Sequence, residues 1–262
     1  MNRINAIVKR EFLSYFKSPI GYIVLALFMI LTSFLYVTDL QYQYADVGTM
    51  LFSVQSVLFM IIIPMLTMRS FSEERKNGSE ILLLTSPASV FEIVISKYLA
   101  SLYVLFVMTA TSVIFIIFTL AFGGTIDAKV LGAYIGFLCI GAAFLSIGIF
   151  ASSLTENQVI AAIITFATIL LLMIIDGVAS ILGSVVSTFV SKINLFGLTD
   201  LQIDGISKGV TTVLKWPNPS VRLNNFSRGI FEITPIIFFI SLIAIFLFLT
   251  TRVIEKRRWT QK

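Results

Sequence analysis

The stretch "RSFSEERKNGSEILLLTSPAS", residues 69–89, gathers carboxylates and cations between two long apolar segments. Almost nothing else in the chain offers side chains that could do chemistry. There is no histidine and a single cysteine, so a zinc site, a histidine-based triad and a disulfide framework cannot be assembled from this chain. Cys139 lies in an apolar run, where it reads as a small buried hydrophobe and not as a reactive thiol. No G-x-x-x-x-G-K-[ST] phosphate loop is present, so the chain is not expected to bind and hydrolyse ATP itself. An intramembrane aspartyl enzyme needs two facing carboxylates in neighbouring spans, and only Asp176 lies inside an apolar run. The expectation is a non-enzyme, with no catalytic residue, metal or cofactor held by this chain.

The framework that positions these residues is a membrane one. The chain is 57% hydrophobic and 13% charged, with a mean hydropathy of +0.97, far from soluble globular usage. A transmembrane helix needs about 20 mostly apolar residues. Six such spans are expected, over 20–37, 50–68, 93–122, 131–154, 159–181 and 234–251. The first follows a polar stretch too long for a signal-peptide n-region, and no small-x-small cleavage site succeeds it, so it reads as a retained helix.

Lysine and arginine set the orientation. Arg3, Lys9, Arg10 and Lys17 precede span 1; Arg69, Arg75, Lys76 and Lys97 flank the second-to-third connection; Arg252, Lys256, Arg257, Arg258 and Lys262 follow span 6. The opposite side carries Lys129, Lys192, Lys208, Lys215, Arg222 and Arg228. Both termini and residues 69–92 are therefore expected in the cytoplasm. The net charge of +5 follows this topology and gives no reason to expect a nucleic-acid partner.

Residues 1–18 place Ile4, Ile7, Val8, Phe12, Tyr15 and Phe16 at helical spacing, with Lys9 and Arg10 among the cations opposite. That pattern fits an amphipathic helix lying in the headgroups of the lipid membrane, the alternative being an ordinary solvated helix. Glu11 falls near the apolar face and breaks the pattern. Gly132 and Gly136 in span 4 belong to a small-residue series that lets helices approach closely, within the chain or against a second copy. Asp176, near the end of span 5, is either an outer-interface residue or part of a translocation path or outer gate. Residues 182–233 form the main polar excursion outside, with short amphipathic helices expected in "VVSTFVSKINLF" and "LQIDGISKGVTTVL" and an interfacial anchor at Trp216.

Within "FSEERKNGSEILLLTSPASVFEIVISKYLASL", the residues Glu73, Glu74, Arg75, Gly78, Glu80, Leu82, Leu83, Ser86, Pro87 and Lys97 resemble the cytoplasmic coupling segment of type-2 ABC transporter permeases. "FSRG" at 226–229 and the basic ending with Arg257, Arg258 and Trp259 are similar to the gliding-motility-associated subgroup. The resemblance implies an all-α integral membrane protein of the bacterial cytoplasmic membrane. Its six transmembrane helices would be joined by an amphipathic interfacial helix (1–18), a coupling helix in 69–92, outer helices in 182–233 and a basic tail (252–262). It implies a permease of exporter type that works as two copies or with a paralogue on separate cytosolic ABC ATPase subunits, which would bind ATP and magnesium. An auxiliary extracytoplasmic subunit is a further candidate partner. The residue pattern is compatible with docking: Ser72 as a helix cap, Glu73 and Glu74 in the first turn, a break at Asn77-Gly78, Ser79 as a second cap, and Leu82 and Leu83 as apolar knobs. The alternatives are a solvated loop at this stretch and, for the whole chain, a membrane scaffold of an envelope or motility assembly, or a secondary transporter or channel.

Overall fold

The computed structural model describes residues 3–41, 47–80, 88–193, 200–223 and 225–260. Among these residues every regular element is a helix and no strand occurs. In chain order the helices are α1 (Arg3–Lys17), α2 (Pro19–Gln41), α3 (Val47–Thr67), α4 (Ser72–Lys76), α5 (Val90–Ala121), α6 (Ala128–Leu154), α7 (Gln158–Ile193), α8 (Asp200–Lys215), α9 (Pro219–Arg222) and α10 (Ile233–Thr260), with a 3-10 turn at Phe226–Arg228. Five of them, α2, α5, α6, α7 and α10, are long and apolar enough to cross a membrane. In lipid a helix satisfies all its own backbone hydrogen bonds, which is why apolar runs of this length have few other folded options. The 21-residue α3 is a further long helix.

The chain divides into two units, Met1–Ala167 with Asn225–Lys262, and Thr168–Asn224. In the first, α6 is the inner helix: 67% of its apolar window is buried against protein, compared with 28% for α2 and 22% for α10. Its small residues explain how. A Cβ added at Gly148 would stand 2.2 Å from the Thr67 Oγ1, one at Gly141 would stand 2.7 Å from the Leu105 Cδ2, and one at Gly132 would stand 2.3 Å from the Phe226 carbonyl oxygen. Gly136 is buried on the same helix. The glycines thus admit α3, α5 and the 3-10 turn to contact distance, the role small residues play where apolar solvent supplies no other drive to pack. Aromatic rings fill the space beside them, with Phe59 lying 4.6 Å from Phe137 and 6.1 Å from Phe144, and Phe28 lying 6.0 Å from Phe137, centroid to centroid.

Two helices outrun the expected spans. α7 continues to Ile193, absorbing "VVSTFVSKI", which was expected as a separate helix. Its hydroxyls bond back along the same helix, Ser184 to the Ile181 carbonyl and Thr188 to the Ser184 carbonyl, both at 2.8 Å. Polar side chains satisfied in this way interrupt the apolar pattern without ending the helix. α10 likewise runs through the expected basic tail to Thr260, where Arg257 and Arg258 lie in a last turn whose carbonyl dipoles favour cations. In the second unit, the Arg222 guanidinium stacks 4.9 Å from the Trp216 ring and its Nε donates to the Trp216 carbonyl at 3.1 Å.

Candidate functional site: an ion network at one end of the bundle

The charged stretch begins where α3 ends. The chain turns through residues 68–71 into α4, which carries Glu73 and Glu74 in its first turn and Arg75 and Lys76 in its last, the order a helix dipole favours. Ser72, expected as the cap, is not: Phe71 is the N-cap residue, no side chain caps it, and the Ser72 hydroxyl donates back to the Met68 carbonyl. The cap is unnecessary because α6 supplies the acceptor. The Ser152 Oγ takes the backbone N–H of Phe71 at 3.1 Å and that of Ser72 at 3.2 Å, and donates to the Met68 carbonyl at 3.2 Å. α4 stops at Asn77, and Gly78 follows with φ 71°, a conformation that costs glycine nothing. Ser79 closes the turn by donating to the Glu74 carbonyl at 3.3 Å. Leu82, Leu83, Ser86 and Pro87, and the second short helical turn expected there, lie outside the described residues. At residue 89 a capping box starts α5: the Glu92 N–H donates to the Ser89 Oγ at 3.2 Å, and the Ser89 N–H to the Glu92 carboxylate at 2.8 Å.

Three other helices, α1, α5 and α10, and the loop between α6 and α7 meet this stretch through charge. Lys97, counted by sequence among the cations of a connection, stands inside α5 with its side chain only 2% exposed. Its ammonium is 2.8 Å from the Glu74 Oε1 and 3.5 Å from the Glu11 Oε2 of α1, and 5.1 Å from the centre of the Phe71 ring. Arg10 completes the cluster, 2.6 Å from Glu11 and 3.9 Å from Glu74. On the outer side of α4, Arg75 pairs with Glu156 at 2.6 Å. Arg257 of α10 pairs with Glu80 at 3.5 Å and donates to the Ser153 carbonyl at the end of α6. Arg69 grips Glu73 through two bonds, at 2.5 and 2.7 Å. Charges in a low-dielectric setting are stable only when paired this closely.

The two buried carboxylates respond differently. Burial would push the Glu11 carboxyl up, but Lys97 and Arg10 more than offset it and the group sits below its ordinary value. At Glu74 burial outweighs the attraction of Lys97 and the group sits above its ordinary value. Nearby, the buried Tyr15 hydroxyl donates to the Leu66 carbonyl at 2.9 Å, and burial pushes its pKa up to about 12. A cavity of about 770 Å³, with Arg10, Glu11, Tyr15, Arg69, Glu73 and Glu74 on its wall, separates α1 from the charged stretch.

The structure therefore brings Arg10, Glu73, Glu74, Arg75 and Glu80 into one assembly. The other α1 residues, Lys9, Phe12 and Phe16, lie outside it: Phe12 stacks on Phe16 at 5.1 Å and on Tyr103 at 6.4 Å. Asp176 belongs to the second unit, where its Oδ1 is 2.9 Å from the Lys215 ammonium of α8. Sequence reasoning did not select Glu11, Ser152 or Glu156, and assigned Lys97 only to topology and motif. Two of these left a signal, Glu11 as a carboxylate on the apolar side of α1 and Lys97 as a cation within an apolar run. No group of residues that could hold a metal ion occurs among the described residues. The stretch is thus tied to α5 by the short, charge-assisted Glu74–Lys97 bond, to α1 through the same cluster, to α6 by the Ser152 hydroxyl and to α10 by the Glu80–Arg257 pair, an arrangement suited to mechanical work.

Two comparisons bear on that arrangement. Residues 2–198 match the family model described as ABC-2 type transporter. No curated protein matches the chain.

Proposed function

This chain belongs to the ABC-2 type transporter family, and on that premise we propose that α4 and the residues after it receive the motion of a separate ABC ATPase and pass it to the membrane helices. Family membership makes the chain the multi-pass permease subunit of an ABC transporter, without an ATPase site of its own and working with an ABC ATPase. Our finer reading has six crossings, α3 among them, with both termini and α4 in the cytoplasm, and two permease copies or a paralogous pair acting as an exporter. The lysine and arginine distribution supports the orientation. The "FSRG" and Arg257-Arg258-Trp259 motifs support the gliding-motility-associated subgroup. Asp176, with its Lys215 partner, is our candidate for the translocation path or outer gate.

The observation that carries the reading is the ion network. A loop that only fixed topology would need cations alone, yet here Glu73, Glu74 and Glu80 each bind a cation, those of Glu74 and Glu80 on two different membrane helices. A short element held this firmly, with an apolar run directly after it, suits docking in a groove of a partner. The test is co-purification with the ATPase after gentle solubilisation, followed by ATPase measurements in vesicles. Glu80→Gln combined with Leu83→Ala should abolish stimulation of the ATPase while leaving membrane insertion intact. Unchanged stimulation together with unchanged assembly would refute the assignment, and a stable oligomer that never retains an ATPase would favour a channel or scaffold.

A further inference from the structure

A second groove, of about 620 Å³, lies between the other side of α1 and the flank of α5. From α5 it is lined by Tyr103, Phe106, Val107 and Ala110, a spacing of three, four and seven residues that forms one stripe along a helix. At about 1.5 Å per residue the stripe is roughly 10 Å long. Asn5, Val8, Lys9 and Phe12 line it from α1, which runs beside α5 in the same sense, Ile4 next to Ser96 and Phe12 next to Tyr103, so the exposed Asn5 and Lys9 lie toward the start of α5. Tyr103 and Phe106 are 50% and 45% exposed, so the slot is open to its surroundings along its length. Its direction is fixed by α5, which starts at Val90 beside the ion network, so that Ala110 lies deeper along the apolar length of the helix than Tyr103.

The groove is thus polar at one end and apolar along its body, with the polar end at the level of the amphipathic helix. Its cation is unengaged: Lys9 is exposed and makes no ion pair among the described residues, whereas Arg10 beside it is held by Glu11. We propose that this groove holds an acyl chain of an anionic membrane phospholipid, with the lipid phosphate on Lys9. One cation above a one-sided apolar slot is complementary to one anionic head on an apolar tail. A half-exposed tyrosine near the mouth is the side chain favoured at headgroup level. The proposal rests on α5 crossing the bilayer. Bound there, the lipid fixes α1 to α5 from the face opposite the Glu11–Lys97 pair, so the anionic lipid content of the membrane sets how firmly α1 is held.

The test uses the full chain with Trp216→Phe and Trp259→Phe, carrying a single new reporter, Phe106→Trp, in vesicles of phosphatidylcholine or phosphatidylglycerol with brominated chains. Quenching should show about fivefold preference for phosphatidylglycerol, the effect of one lysine at an anionic surface, and the preference should fall to about one in Lys9→Gln and persist in Lys9→Arg. A reporter at Phe118→Trp, elsewhere on α5 and 46% exposed, should be quenched equally by both lipids. Absence of a preference at Phe106→Trp, or its survival in Lys9→Gln, overturns the proposal. No quenching at Phe118→Trp by either lipid removes its premise and the proposal with it, a result independent of whether α4 couples to an ATPase.

Discussion

Replacing Lys97 with methionine removes the ammonium that two carboxylates of two different elements share, while keeping a long apolar side chain in the same space. Removing one member of a buried pair costs about 3–5 kcal/mol, because the remaining charge is left without compensation. The geometry places this case near the lower figure. Glu11 keeps Arg10 at 2.6 Å, but Glu74 is left with Arg10 at 3.9 Å in place of Lys97 at 2.8 Å. A loss of about 3 kcal/mol corresponds to roughly 6–12 °C in the thermal midpoint of a chain this size, read by thermal unfolding of the solubilised protein. Adding Glu74→Leu should restore most of that midpoint, since an apolar replacement of both partners is close to neutral. The double variant should nonetheless stimulate the ATPase less than the parent, because α4 has lost its direct bond to α5. A midpoint for Lys97→Met within about 2 °C of the parent, or a double variant no more stable than the single, would refute the claim that this ion pair holds α4 to the bundle.

The carboxylates give opposite pH signatures. The Glu11 carboxyl sits below the usual 4.5, so its contribution to stability is present above that value and lost as pH falls through the lower folded one; Glu11→Gln should flatten the acid limb below pH 4.5. The Glu74 carboxyl sits above 4.5, so deprotonation disfavours the fold as pH rises from 4.5 through the folded value; Glu74→Gln should flatten that interval, with thermal midpoints across pH as the measurement. Two glycines separate side-chain from backbone crowding. Gly148→Ala meets the Thr67 side chain, costs about 1–3 kcal/mol and should be partly relieved by Thr67→Ala; Gly132→Ala meets a backbone carbonyl, and no side-chain change at Phe226 should relieve it, as thermal midpoints of the single and double variants will show.

Much of the helical framework was legible because its signal is local. A run of apolar residues long enough for a bilayer predicts a helix from composition alone, and the cores of the long helices fall where hydropathy placed them. The ends were less legible. α7 continues through serines and threonines that bond back to their own helix, and α10 through arginines paired with Glu255 on the same helix or with Glu80 in the chain before α5, and a hydropathy window reads both as a boundary. The site was legible as a cluster of charge but not as a set of partners. Ser72 has the residue type of a cap, yet the acceptor that makes a cap unnecessary is Ser152, 80 residues away. Glu11 and Lys97 each violate the pattern of their own helix, and the cluster they form with Glu74 and Arg10 explains both. The capping box at Ser89 and Glu92 is a four-residue signal as well, but hydropathy started the third span at residue 93 and passed over it.

The bond from Arg257 to the Ser153 carbonyl joins residues 104 positions apart, whereas Lys97 and Glu74 are separated by 23. During synthesis at roughly 5–20 residues per second, Lys97 reaches its carboxylate within about 1–5 s, but the end of α6 waits roughly 5–20 s for α10. Until then Glu80 also lacks its arginine. α10 is thus a closing clasp: a nascent chain that has not yet made it presents Glu80 and the end of α6 without the arginine that joins them.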